Sequence, residues 1–216
     1  MIKVNLINEK ICEDVLDEKI RIIARNNLQY MENAKISIIS ILDNDYPCVL
    51  KETYFPPVFL YVKGNIEIIK DNCISMVGCR ECSDYGKRIA GNLSYNLAKN
   101  NLCIVSGLAK GIDEYSHLGA LYAKGKTIAV LGSGINIIYP KENCYLANKI
   151  LNNNGLIISE FPISFNPNKL TFPARNRIIS GLSKGVVVVE AKKKSGTLIT
   201  VDFALEQGRE VFVVPR

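Results

Sequence analysis

Between Asn166 and Ser183 the sequence sets Lys169, Arg175 and Arg177 around one aromatic, Phe172, in a loop that leads into a helix. Lysine and arginine neutralise phosphates, and a phenylalanine ring offers a face to an unstacked base, so this combination suits a single strand better than a duplex. The competing reading is structural: Phe172 packs into a core beside Pro173, and Arg175 or Arg177 pairs with an acid.

Four further loops carry glycine, and each follows a strand-like apolar run: Gly78 to Gly86, Ser106 to Asp113, Gly132-Ser133-Gly134, and Glu190 to Thr197. Glycine permits close backbone approach, and amides at a following helix N-terminus favour an anion. Any one such loop can need glycine merely to turn. Together with Arg80, Lys110 and Lys192 to Lys194, the four loops form a rim of amides and cations suited to phosphate groups. The candidate contacts are therefore Arg80, Gly107, Lys110, Lys169, Phe172, Arg175, Asn176, Arg177, Ser195 and Gly196.

Other chemistry finds less support. No loop reads G-x-G-x-x-G, and the stretch from Gly119 to Thr127 has one residue too many for a Walker A loop and runs from helix to strand. Asp113 and His117 stand four apart on one helical face, but no third ligand accompanies them, and Asp113 is placed to cap a helix. Cys79 and Cys82 form a lone C-x-x-C in a chain with a single histidine, too little for a four-ligand zinc site, though a redox pair stays open. Neither a metal nor a cofactor is expected, and no nucleophile stands at recognisable spacing from a base.

The elements that must position these residues follow from periodicity. From Ile74 onward short β-rich runs, near 74–77, 102–106, 127–132, 156–160, 186–190 and 211–214, alternate with amphipathic helical stretches. The runs are apolar along their length, Val186 to Val189 most plainly, as strands are when helices cover both faces of a parallel sheet. The spacing predicts a doubly wound, mostly parallel α/β fold, in which ligands sit beyond the carboxyl ends of the strands. Ile36–Leu42 and Val58–Val62 read as two more strands that extend the sheet. Ahead of them, Val15, Leu16, Ile20, Ile23, Ala24 and Leu28 recur at helical spacing, giving a short helical appendage over 1–34 and a main domain over 35–216.

Composition fits this picture. The 216 residues are 48% hydrophobic and 22% charged, which is ordinary globular usage and excludes a disordered or collagenous chain. The net charge of +6 is gathered toward the C-terminal end, where residues 161–216 hold nine basic and four acidic side chains. That asymmetry favours a polyanionic partner, with a solvated basic face as the alternative. Seven cysteines, several inside apolar runs, make a reduced, cytoplasmic pattern. No apolar run approaches the length of a membrane span, so no membrane association is expected.

The ordered motifs from Tyr46-Pro47 through Gly78-Cys79-Arg80, Ser106-Gly107-Leu108-Ala109-x-Gly111-Ile112-Asp113 and Tyr139-Pro140-x-x-Asn143 resemble those of the DNA-processing protein A family, also called DprA or Smf. The resemblance continues through Ser159-Glu160, Phe172-Pro173-x-Arg175-Asn176-Arg177-Ile178-Ile179, Val189-Glu190-Ala191 and Ser195-Gly196-x-Leu198-Ile199-Thr200, and covers roughly Ile36 to Pro215. It implies an extended Rossmann-like domain that binds single-stranded DNA, works with the recombinase RecA during natural transformation, protects incoming strands, forms a homodimer and catalyses nothing. Carried over by motif, the DNA contacts fall on Arg80, Lys169 and Phe172.

Cys79 departs from the Thr or Ser usual in the family, Asn136 from an Asp, and Tyr115-Ser116 from a smaller pair. The N-terminal helical region is expected to be shorter than the family's, with no winged-helix-like module after Arg216. Two rivals share the scaffold type. A nucleotide phosphoribohydrolase resembling the LOG proteins would need a catalytic Glu where Thr200 stands. A nucleotide-sensing domain would use the same rim for a mononucleotide.

Overall fold

The computed structural model describes residues 17–192 and 195–215. The chain divides into two compact units, Met1–Ser37 and Ile38–Arg216. In the first, helix α1 (Glu18–Ala34) begins where the Asp17 carboxylate accepts the Lys19 amide at 2.7 Å, and ends at Lys35 in the left-handed conformation (φ 53°). The part of the expected helical pattern carried by Val15 and Leu16 lies outside the described residues.

Eight strands form one sheet: β1 (Ile36–Ser40), β2 (Phe59–Gly64), β3 (Cys73–Gly78), β4 (Cys103–Ser106), β5 (Thr127–Leu131), β6 (Leu156–Ser159), β7 (Gly185–Glu190) and β8 (Glu210–Val213). Their order is β1-β2-β6-β5-β4-β3-β7-β8. From β6 to β8 all neighbours are parallel, while β2 joins β6 antiparallel. This is the mostly parallel α/β sheet that the apolar strand pattern predicts.

Among the described residues, α-helices accompany the sheet at α2 (Cys48–Lys51), α3 (Asp84–Lys99), α4 (Ile112–Tyr122), α5 (Cys144–Asn152), α6 (Thr171–Gly181) and α7 (Gly196–Glu206). Successive strand residues point to opposite faces, so a run of valines feeds two cores at once. Val186 and Val188 join Val77, Val105 and Ile158 under Ile178 and Ile179 of α6, Leu182 just after it, and Ala204 of α7. Val187 and Val189 join Met76 and Ile104 under Ala90 and Ala98 of α3 and Ile112 and Ala120 of α4. Each fully buried aliphatic side chain contributes roughly 1.5–3 kcal/mol relative to exposure, and this two-sided burial fixes the strands in place.

The strand order reverses beside β3. The chain steps outward through β4, β5 and β6, then returns to lay β7 on the other flank of β3. At such a reversal the loops leaving neighbouring strands diverge to opposite faces and leave a crevice at the carboxyl edge. Here those loops are Gly78–Ser83, Gly107–Gly111 and the segment after Glu190.

Candidate nucleic-acid interface

The loop after β3 is held at both ends. The Cys79 amide donates to the Glu190 carbonyl at 2.8 Å, and the Ile112 amide donates to the Cys79 carbonyl. The Glu190 carboxylate accepts from the Ser83 amide at 3.1 Å and its hydroxyl at 2.7 Å, and Ser83 in turn caps α3 by accepting the Gly86 amide. Cys79 is buried and donates its thiol to the Glu190 carbonyl, and burial pushes both the Cys79 and Cys82 thiols up. Between these anchors Arg80 stands exposed.

The loop after β4 is gripped from two sides. The Asp113 carboxylate accepts the amides of Gly107 (3.1 Å) and Ala109 (3.4 Å). The Arg175 guanidinium donates to the Gly107 carbonyl at 2.7 Å and to the Val130 carbonyl, tying the ends of β4 and β5 together. Burial raises the Asp113 carboxyl above its usual range, and the nearby Arg175 charge works against that shift. Burial likewise pulls Arg175 down to about 10, opposed by Asp113. Gly111, with φ +79°, lies against the Cys79 and Arg80 carbonyls, where a Cβ would come within 2.5 Å of either oxygen. Only glycine lets the two loops meet there.

Phe172 enters from the first turn of α6. That turn is set by Asn168, whose side-chain oxygen accepts the amides of Leu170 (2.8 Å) and Thr171 (3.1 Å). The Phe172 ring is half-buried, and the Arg80 guanidinium carbon lies 5.0 Å above its centroid. Tyr139 adds a third planar group, its ring centre 5.5 Å from that of Phe172 and tilted by 42°.

Arg80 and Phe172 together form a wall between two hollows. One, of about 330 Å³, is lined by Gly78, Cys79, Asn176, Lys192, Ser195 and the first turn of α7. The other, of about 550 Å³, is lined by Gly107, Lys110, Tyr139, Lys141 and Glu142. Both share Arg80, Ala109, Phe172 and Arg175 in their lining. The α7 N-terminus has no side-chain cap and no acid in its first turn, so its amide dipoles face the first hollow uncompensated.

The structure thus brings Arg80, Phe172, Ser195, Gly196 and Asn176 to one hollow and Gly107 and Lys110 to the other. Lys110 is exposed and pairs with Glu142 at 2.6 Å. Lys192 pairs with Glu81 at 3.2 Å. Lys169 is exposed and lines neither hollow, and Asn176 donates to the Gly196 carbonyl. The hydroxyl of Ser195 is buried without a partner.

Two of the expected phosphate contacts have partners within the molecule. Arg175 is only 4% exposed, and its guanidinium is committed to two carbonyls inside the molecule. Arg177 lines neither hollow and pairs with Glu160 at 2.5 Å. The cation that meets the aromatic is Arg80, which lies 92 positions earlier in the chain. Gly107 is glycine for Arg175, since a Cβ there would lie 2.4 Å from its Nη1. Asp113 serves the loop amides, and the cap position of α4 falls to Gly111.

His117 is fully buried beside Thr127, with Nδ1 2.7 Å from the hydroxyl. That hydroxyl donates its hydrogen to the Ile104 carbonyl, so Nδ1 carries the imidazole proton. Burial, aided by Arg175, holds His117 down to about 3, a neutral core histidine. The six described cysteines are unbridged, and no group of three metal-ligating side chains occurs among the described residues.

A parallel sheet with its reversal beside β3, and a cation–aromatic wall standing over that reversal, define a Rossmann-like protein with an anion-suited strand-end crest. Residues 37–216 match the family model described as DNA recombination-mediator protein A. The chain belongs to that family. It is 48% identical over 184 residues to the DNA processing protein DprA of Streptococcus pneumoniae, covering 85% of this chain and 64% of that protein. It is 43% identical over 190 residues to Protein Smf of Escherichia coli, covering 88% of this chain and 51% of that one. The chain therefore spans between half and two thirds of the length of these curated relatives.

Among solved structures, the X-ray structure of DprA from S. pneumoniae superposes with a TM-score of 0.82 at 41% identity, covering 98% of this chain and 76% of that one. A structure of DNA processing protein A from Helicobacter pylori, described for its single-stranded DNA binding mode, gives 0.77 at 32% identity, covering 84% and 81%. Both agree with the eight-stranded fold described above.

Proposed function

We propose that this protein binds single-stranded DNA along the crest that joins the two hollows, and that it mediates recombination by delivering the bound strand to RecA. The observation that carries the reading is the Arg80–Phe172 wall: an exposed guanidinium over a half-buried ring, with a hollow on either side. Cations answer the phosphates and planar groups answer unpaired bases, and a duplex keeps its base faces stacked away from both. Family membership and the H. pylori relative, described for its single-stranded DNA binding mode, support the same reading.

The finer parts follow the family resemblance. The protein protects incoming strands in the cytoplasm during transformation, acts as a homodimer and catalyses no reaction. A hydrolase on this scaffold would need a carboxylate where Thr200, 2% exposed, lines the first hollow. Asp113, the buried acid in that lining, already receives two loop amides.

The test is a gel shift on one oligonucleotide sequence, as single strand and as duplex, with and without RecA. The protein should retard the single strand in preference, and RecA should assemble faster on strands it already coats. Unchanged RecA assembly would remove the mediator role and leave the binding role standing.

A further inference from the structure

Between Asp84 and Asp113 the chain carries four basic side chains, Lys87, Arg88, Lys99 and Lys110, and no acid. Most of that stretch is α3, whose exposed positions Tyr85, Arg88, Asn92, Asn96 and Lys99 recur at helical spacing and so lie along one face. Lys87 is neutralised by Asp84 at 2.8 Å, but Arg88 and Lys99 make no ion pair among the described residues. Each instead lies over a tyrosine one turn earlier. The Arg88 guanidinium carbon is 5.8 Å from the Tyr85 ring centre, and the Lys99 ammonium is 5.8 Å from that of Tyr95. The Tyr85 hydroxyl donates to the Pro215 carbonyl at 3.1 Å, which fixes that ring.

A helix face that meets only water usually mixes both signs, as α1 does with Glu18, Lys19, Arg21, Arg25 and Glu32. Unpaired charge of one sign, interleaved with aromatics, suits a polyanion instead. The helix also starts at the crest. The loop that carries Arg80 passes through Ser83, the N-cap, directly into its first turn. Acids near that junction are taken: Glu81 pairs with Lys192, Asp84 with Lys87, and the Glu190 carboxylate receives Ser83. We propose that the outer face of α3 is a second nucleic-acid surface, along which a single strand runs after it leaves the crest. This rests on the single-strand reading above and extends it to residues outside both hollows. The 16 residues of α3 span about 24 Å, room for several nucleotides of an extended strand. Its phosphates meet Arg88 and Lys99, about 16 Å apart along the axis, with the uncharged Asn92 and Asn96 between them.

Anisotropy titrations with oligo-dT of about 6 and about 20 nucleotides separate the two surfaces, since the shorter strand fills the crest alone and the longer outruns it. Arg88→Gln combined with Lys99→Gln should leave the short strand bound within twofold of wild type, which also shows that the variant is folded. The long strand should bind roughly 5- to 20-fold more weakly. Its log–log salt slope should flatten by about 1.4, two phosphate contacts at about 0.7 each. Lys51→Gln combined with Lys63→Gln removes the same charge from α2 and β2, away from the stripe, and should change neither strand.

A long strand held by the Arg88 and Lys99 double variant within twofold of wild type would overturn the track. So would an equal loss in the Lys51 and Lys63 control, the mark of a plain net-charge effect. If strand binding holds while RecA assembly on the coated strand slows, the face belongs to a protein partner and the proposal falls. Wild type that holds neither strand would overturn the underlying single-strand reading, an outcome visible without any variant.

Discussion

The guanidinium of Arg175 occupies the space in which a side chain at Gly107 would begin, with Nη1 2.4 Å from the position of a Cβ there. The same group donates to the Gly107 carbonyl at 2.7 Å. Gly107 is therefore needed for packing, because a methyl group would push the arginine off both carbonyls it holds. Gly107→Ala should lower unfolding free energy by about 1–3 kcal/mol, the usual cost of overfilling a packed site. Urea denaturation checks this, and pairing the change with Arg175→Met should cost less than the two single losses combined.

Asp113 sits on the other side of the same loop, accepting the Gly107 and Ala109 amides. Asp113→Ala leaves two amides without their acceptor and should destabilise by about 2 kcal/mol or more. Asp113→Asn should be much milder. Burial already raises this carboxyl, which disfavours its charge, and an asparagine oxygen can still accept both amides. Equal losses in the two variants, compared by thermal and urea unfolding, would show that the charge itself holds the loop.

His117 gives the fold a signed response to acid. Its folded value near 3 lies below the ordinary 6.5, so between those limits the unfolded chain binds the extra proton. Stability contributed by the neutral imidazole is complete above pH 6.5 and falls as pH drops toward 3. At pH 5 the loss is about 2 kcal/mol relative to neutral pH. Asp113, raised by burial, acts in the opposite sense. His117→Gln should remove the His117 increment, so the wild-type minus variant difference in unfolding free energy should shrink from pH 7 to pH 5.

The sequence made the sheet legible because its strands are short, apolar throughout and separated by helices of regular stripe. Val186 to Val189 reads as a doubly buried strand from composition alone, and the two cores divide those four residues by parity. The site was legible only in part. Lys169, Arg175 and Arg177 are neighbours of Phe172 in sequence, yet α6 turns Arg175 inward and sends Arg177 to Glu160. Which cation meets the ring depends on the strand order, since β3 and the loop carrying Arg80 come to lie near α6 only when the chain returns across the sheet. Periodicity does not encode that return. One signal lies in Gly107, since a glycine with no need to turn often marks a close approach.

Lys110 and Glu142 set the charge of the second hollow, paired at 2.6 Å with both side chains largely exposed. Glu142→Gln should release the ammonium for a phosphate, strengthening single-strand binding a few-fold and steepening its salt dependence. Adding Lys110→Ala to Glu142→Gln should then flatten the log–log salt slope by about 0.7, the increment for one phosphate contact on a single strand. Titrations across a salt series read both effects, and no change in slope for either would place the strand elsewhere.

Competition for a labelled oligonucleotide bound to wild type and to Phe172→Ala, using unlabelled single strand or duplex of matching sequence at one salt concentration, probes the crest most directly. Single strand should displace the label from wild type at a tenth of the duplex concentration or less, and Phe172→Ala should erase most of that advantage. Equal displacement by the two competitors from wild type, or an advantage left whole in Phe172→Ala, would contradict the account.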